Sequence, residues 1–222
     1  MTKADTYESI ADSYQAAYAT DHVVLHFLDR ALGHLAPESR ILDAGCGTGN
    51  PVSVALVEAG HHVKGIDISP AMLDLYRKNV PTAQCEVTDM CSYQHPTEEP
   101  LDAVFNIRAL FGKKRNEIEH IIQNWGTWVQ SGGLLCMVVI ALDDYNPAKI
   151  VGGVDPDGYC ATVKRRFMGE DSLNALFSRA GWRYLLETNG FDIVEEETEL
   201  FVPPDEVDSD DAPQFCFIAR KI

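Results

Sequence analysis

The chain has 222 residues, a length that suits one domain of the larger kind. Its 45% hydrophobic and 23% charged content belongs to a folded globular protein and excludes fibrous and disordered classes. Eighteen Lys and Arg stand against 34 Asp and Glu, a formal net charge of −16. Such a field repels phosphate backbones and anionic lipid, so neither a nucleic-acid nor a membrane partner is expected.

Residues 4–34 carry helical spacing: Tyr7, Ile10, Tyr14 and Tyr18, then Val24, Leu25, Leu28 and Leu32, ended by Pro37. An alternation of short apolar runs and amphipathic stretches follows. Strands are predicted at Arg40–Ala44, Val63–Asp67, Gln84–Asp89, Leu101–Ile107 and Leu134–Ala141. Between them, helices are predicted over 50–59, over 70–79 with Ser69 as N-cap and Pro70 at the first position, and over 113–130. After a helix at Ser178–Thr188, ended by Asn189-Gly190, the strands Phe191–Val202 and Phe215–Lys221 follow each other with no helix between. Alternation of this kind predicts an α/β fold, Rossmann-like and doubly wound, with a seven-stranded, mostly parallel sheet. The two last strands predict one antiparallel strand near the C-terminus.

The six cysteines, Cys46, Cys85, Cys91, Cys136, Cys160 and Cys216, have neither CxxC nor zinc-ligand spacing and read as reduced thiols. The start of the chain has no apolar signal core, and the longest apolar run, Leu134–Leu142, is far short of a membrane span. A soluble, cytoplasmic protein is expected. The acidic runs Glu195–Glu199 and Asp205–Asp211 read as solvated surface.

Asp43-Ala-Gly-Cys-Gly-Thr-Gly-Asn50 follows a predicted strand and opens a helix. Gly45, Gly47 and Gly49 permit a tight turn that brings backbone against a ligand. Asp67 ends the next strand, where an acid can take both hydroxyls of a ribose. The rival ligand for such a turn is a nicotinamide dinucleotide, whose fingerprint is G-x-G-x-x-G. This loop is G-x-G-x-G, and Asp43, two residues before the first glycine, would face a pyrophosphate unfavourably.

With these residues in view, the chain resembles the class I S-adenosylmethionine (SAM) dependent methyltransferases, in particular those acting on small molecules. The resemblance runs along nearly the whole chain: DAGCGTG (43–49), GIDIS (65–69), TDM (88–90), LDAVFNI (101–107), SGGLL (131–135), the N-terminal YESIADSY (7–14) and WRYLLETNGFDIVEEET (182–198). It implies a single domain over residues 1–222, with residues 1–36 as a helical lid and residues 143–177 as an insertion over the acceptor pocket. It implies SAM as cosubstrate, with S-adenosylhomocysteine as product. Gly45, Cys46 and Gly47 would line the methionine half of SAM, Asp43 would accept from its ammonium and Tyr14 would close over its carboxylate. Asp67 would bind the ribose, Ile68, Met72 and Met90 would pack on the adenine, Asp89 would accept from the adenine amino group, and Asn106 would lie under the sulfonium.

Tyr18, Arg108, Phe111, Tyr145, Phe167 and Met168 are the expected acceptor-pocket residues, with Arg108 and Tyr145 as candidate catalytic groups. Many small-molecule relatives carry a His where this chain has Gly112, so a histidine base is missing at that station. His22 and His26 read as packing or capping residues rather than bases. Neither the Asp/Asn-Pro-Pro-aromatic motif of amino-methylating DNA enzymes nor the Asp-Asn pair of metal-dependent catechol-type enzymes is present, and no metal is expected. The resulting expectation is transfer of a methyl group to O, N or S of a small molecule by a monomer or homodimer. Proximity and orientation would drive the in-line displacement. Two alternatives stay open: a non-methylating reaction on the same fold, such as cyclisation, and a non-catalytic SAM-binding subunit.

Overall fold

The computed structural model describes residues 3–222, and the side chains from Tyr7 onward. Two helices, α1 (Lys3–Tyr18) and α2 (His22–His34), precede the sheet. The expected helical stretch breaks at Asp21, whose carboxylate accepts from the N–H groups of Val23 and Val24 and so caps α2. Then come β1 (Arg40–Ala44), α3 (Val52–Glu58), β2 (His62–Asp67), α4 (Pro70–Asn79), β3 (Gln84–Val87), β4 (Leu101–Ile107), α5 (Arg115–Trp128) and β5 (Val129–Val139). Ser69 caps α4 through the Met72 N–H, as its sequence predicts. Helix α5 runs directly into β5, whose pairing with β4 shifts register across residues 129–134 before the apolar run Leu134–Val139 is reached.

The main sheet has the order β3-β2-β1-β4-β5-β10-β9, where β9 is Phe191–Phe201 and β10 is Ala212–Lys221. Strand β10 pairs antiparallel with both β5 and β9, and the other six strands are parallel to one another. Strands β1, β4 and β5 are almost wholly buried because helices cover both faces of the sheet. One face packs Trp125, Leu135, Trp182 and Phe217, under α5 and α6 (Arg179–Thr188). The other packs Phe27, Leu28, Leu56 and Phe105, under α2 and α3. Ser178 caps α6 by accepting from the Gly181 N–H at 3.0 Å. Ser178→Ala is expected to lower stability by about 1 kcal/mol, read as a shift of the urea midpoint with unchanged slope.

Residues 143–177 form more than a covering loop. Two 3-10 turns (Leu142–Asp144 and Pro147–Lys149) lead into a separate antiparallel sheet of β6 (Ile150–Val154), β7 (Cys160–Phe167) and β8 (Glu170–Phe177). Its inner residues Val163 and Leu176 pack with Ile140, Tyr145 and Ala212 above the C-terminal ends of β5 and the N-terminal end of β10. The acidic runs are less free than a solvated surface. Glu195, Glu197 and Glu199 alternate on β9 toward α2, where they meet Arg30, His34, His22 and His26. In the second run, Asp208 pairs with Arg166 and Asp210 with Lys149. Among the described residues, no helix is long and apolar enough to cross a membrane.

Candidate active site

In a doubly wound sheet the crevice opens at the C-terminal ends of the strands, where the order reverses. Here β1 and β4 lie side by side while their connections leave in opposite directions. The loop after β1 turns under the Gly45 and Cys46 N–H groups, both donating to the Ile66 carbonyl of β2. Gly45 has φ +80°, and a Cβ there would stand 2.2 Å from Ala109 Cβ in the loop after β4. At Gly47 a Cβ would meet nothing nearer than Tyr14 Cε1 at 3.9 Å, so this backbone is the part laid bare to the cleft. The glycines therefore differ: Gly45 admits a neighbouring loop, and Gly47 leaves its backbone open to the cavity.

Along this loop runs a cavity of about 260 Å³. Its walls include Tyr7, Tyr14, Gly45, Gly47, Asp67, Ile68, Met72, Asp89, Met90 and Lys113. A small recess beside it is lined by Asp43, Cys46, Thr48 and Tyr18, and shares Tyr14, Gly45, Gly47 and Arg108 with the cavity. Asp67 accepts from the Gly47 and Ser69 N–H groups, both at 2.9 Å, one on each carboxylate oxygen. Each oxygen keeps a lone pair for a hydroxyl. Its depth in the cleft pushes its carboxyl above the ordinary value, and those N–H bonds pull it back. Asp43 is buried and accepts from the Ser53 hydroxyl at 2.6 Å. Burial, against the pull of that hydroxyl and with a contribution from Asp67, pushes its carboxyl up to about 7. Neither Asp43 nor Asp67 is ion-paired among the described residues. At the far end Asp89 accepts from Lys113 at 2.7 Å and from the Cys91 N–H at 2.9 Å, both on Oδ1. Burial opposes its ionisation, but these bonds hold the carboxyl below its usual value.

A second chamber shares Tyr7, Tyr14, Arg108 and Phe111 with the cavity and continues to Tyr18, Arg165, Phe167, Phe201 and Gln214. Arg108, directly after β4, has φ +57°, a strained conformation for a side-chain-bearing residue. Its N–H donates to the Val138 carbonyl, and its guanidinium pairs with buried Asp21 while lying 4.7 Å from the Tyr18 ring and 5.5 Å from Phe201. Asp21 also accepts from Gln214, so one carboxylate ties α2, the end of β4 and β10 together. Asp21, Gln214 and Tyr7 were not among the expected site residues. Asp21 carried a readable signal, an acid just before an apolar helical run, whereas Gln214 on β10 carried none.

Of the expected residues, Tyr14, Asp43, Gly45, Cys46, Gly47, Asp67, Ile68, Met72, Asp89 and Met90 come together on the cavity and its recess. Tyr18, Arg108, Phe111 and Phe167 come together on the second chamber. Asn106 is turned elsewhere: its buried amide donates to the Ala44 carbonyl at 2.7 Å and locks β4 to β1, while its neighbours Ile107 and Arg108 reach the cleft. Tyr145 lies behind the chamber, its hydroxyl donating to the Lys164 carbonyl at 3.0 Å and its pKa pushed up to about 12 by burial. Met168 is in the β7–β8 turn and packs toward the core instead of lining either chamber. His22 and His26 sit on the outer side of α2 facing Glu199, at 3.3 and 3.6 Å. His26, Glu197 and Glu199 bring three ligating atoms within 4.8 Å of one another there, away from the cleft.

Residues 41–133, which include the glycine loop and Asp67, match a family described as a methyltransferase domain. No curated protein matches the chain. Among solved structures it is similar to a SAM-dependent methyltransferase of Methanosarcina mazei, with 21% identity, a TM-score of 0.64, and 86% of this chain and 95% of that one covered. It is similar to 1,6-didemethyltoxoflavin-N1-methyltransferase of Burkholderia thailandensis, with 16% identity, a TM-score of 0.67, and 98% and 84% covered. A third is magnesium protoporphyrin IX methyltransferase of Synechocystis PCC 6803, with 18% identity, a TM-score of 0.59, and 92% and 84% covered.

Proposed function

We propose that this chain is a class I SAM-dependent methyltransferase that takes SAM as methyl donor and a small molecule as acceptor, a reading supported by the methyltransferase-domain match over residues 41–133 and by the fold it shares with such enzymes. The observation that carries the reading is the pair of carboxylates, Asp43 and Asp67, at the ends of adjacent strands on either side of one glycine loop. Neither has a cation among the described residues, and both face the same cleft. Such a pair fits a ligand with an ammonium at one end and a ribose in the middle. The cavity continues past Asp67 to Ile68, Met72 and Met90, an apolar slot suited to an adenine, with Asp89 at its rim.

SAM bound there supplies an activated methyl group on a sulfonium. The chain's own part is to bind, align and exclude water. Helix α1 closes the cleft from above: Glu8 accepts from the Ser69 hydroxyl and the Ala71 N–H, and Gln15 accepts from Asn79, fastening the lid to α4. The β6–β8 sheet walls the other side through Arg165 and Phe167. Among the described lining residues of the cavity and the chamber there is no histidine. Burial raises the pKa of the Tyr7 and Tyr14 hydroxyls, so both stay neutral and act as hydrogen-bonding groups, not as phenolate bases. Catalysis then rests on holding acceptor and methyl in line inside a dry chamber. This suits an acceptor atom that gives up its proton readily.

Calorimetric titration with SAM and S-adenosylhomocysteine tests the reading. Micromolar binding of both is expected, weakened in Asp67→Ala at least tenfold, about 1.4 kcal/mol. Folded protein that binds neither ligand would overturn it.

A further inference from the structure

One cation in the second chamber has no ion pair of its own among the described residues. Arg165, on β7, is only 5% exposed and lines the chamber, yet it forms no ion pair among the described residues. Its neighbours differ: Arg108 is neutralised by Asp21, and Arg166 by Asp208 and Asp171. Asp210 lines the same chamber and its charge acts on Arg165, but both of its oxygens are engaged by other groups. Lys149 holds Oδ1 at 2.6 Å, while the Arg166 N–H donates to Oδ2 at 2.9 Å. The Arg165 guanidinium lies 4.3 Å from the Phe111 ring. Its buried Nε–H has no acceptor among the described residues. An arginine stays charged at any physiological pH, so its burial without a direct ion pair carries a desolvation cost that a bound anion would offset.

The chamber around it is built for flat molecules. Tyr7, Tyr14, Tyr18, Phe167 and Phe201 supply ring faces, with Phe167 within 6.4 Å of Tyr7 and Tyr14 and within 6.0 Å of Tyr18. A planar guanidinium fork matches a carboxylate in geometry as well as charge. In a protein with net charge −16, one cation free of a direct ion pair inside a pocket also discriminates, because the general field turns anions away elsewhere.

We propose that the methyl acceptor is an aromatic carboxylate, seated among these rings with its carboxylate on Arg165. The inference rests on the methyltransferase reading and specifies the substrate class of that same site. Phe111 and Arg108, shared between chamber and cavity, then mark the passage through which the acceptor's reactive edge meets the methyl group.

The test uses the whole protein saturated with S-adenosylhomocysteine and two probes of one shape, benzoate and benzamide, followed by ligand-observed NMR. Wild type is expected to prefer benzoate at least tenfold. Arg165→Met, which keeps much of the stem's volume, is expected to abolish that preference, and Arg165→Lys, which keeps the charge but not the fork, to retain part of it. S-adenosylhomocysteine binding in each variant reports that the protein is folded and that the cofactor site is intact. Equal binding of the two probes, binding of neither, or a preference that survives Arg165→Met would overturn the proposal and leave the methyltransferase reading standing. Loss of S-adenosylhomocysteine binding in wild type would instead strike at that reading.

Discussion

Asp43→Asn is expected to make the ligand-free protein more stable above pH 7 and to weaken its hold on SAM at the same time. The Asp43 carboxyl ordinarily titrates near 3.8, and its burial raises it to about 7 in the folded chain. Between those two values the folded state holds a proton that the unfolded state has released, so stability falls as pH rises from about 4 to about 7. Full ionisation of this one group costs about 4 kcal/mol. The groups around it do not relieve that cost: Ser53 donates one hydrogen bond, while Asp67, Cys46 and Tyr76 add no positive charge. An ammonium in the recess would. Binding of SAM should therefore draw the proton off Asp43, and affinity should rise with pH up to about 7 and then level. Between pH 8 and pH 6 the loss is expected to be about tenfold, the measure of one proton released. The Asn variant removes most of both slopes, leaving that of Asp67, whose carboxyl burial also raises. Urea unfolding and calorimetric titration at pH 5, 6, 7 and 8 check both halves. An unchanged stability slope in Asp43→Asn would mean that the carboxyl titrates normally.

The two halves of this chain were unequally readable. The βα units of residues 40–139 follow from local rules, since buried parallel strands are short apolar runs and the turns between them are punctuated by Gly, Pro and N-capping residues. The β6–β8 sheet does not announce itself. Strand β6 is mostly exposed, and the β7–β8 hairpin turns on Met168-Gly169, both at positive φ. A two-residue turn of that geometry favours Asn-Gly or Asp-Gly, and a methionine in its first position conceals it. The site divides in the same way. Asp43, Gly45, Gly47 and Asp67 lie within one βαβ unit and share a recognisable spacing. The second chamber is assembled from α1, the loop after β4, β7, β9 and β10, so Arg165 and Gln214 become neighbours of Phe111 and Tyr18 only through tertiary packing. The alternating glutamates of β9 show the same limit, because a charge run reads as solvent-facing until α2 supplies Arg30 and three histidines opposite it.

The contrast between Gly45 and Gly47 yields the other large effect. Gly45→Ala is expected to lower stability by about 3 kcal/mol, from left-handed strain of ~1–2 kcal/mol and overpacking of ~1–3 kcal/mol. The new Cβ would press on Ala109 Cβ and on Met90 Cε. Relief requires the loop after β1 and the loop after β4 to part, and these two loops floor the cleft, so SAM affinity should fall as well. Pairing the change with Ala109→Gly removes the colliding atom but not the strain at φ +80°. The double variant is therefore expected to recover about half of the lost stability, a coupling that a double-mutant cycle reads directly. Gly47→Ala should behave in the opposite manner. It has φ +52° and open space toward Tyr14, so only the left-handed strain of ~1–2 kcal/mol applies. Its methyl group instead enters the volume that a ligand would fill, and SAM affinity should fall at least tenfold. Urea midpoints and SAM titrations on the three variants separate the two roles. If Gly45→Ala costs no more stability than Gly47→Ala, the close approach of the two loops is not what fixes glycine at position 45.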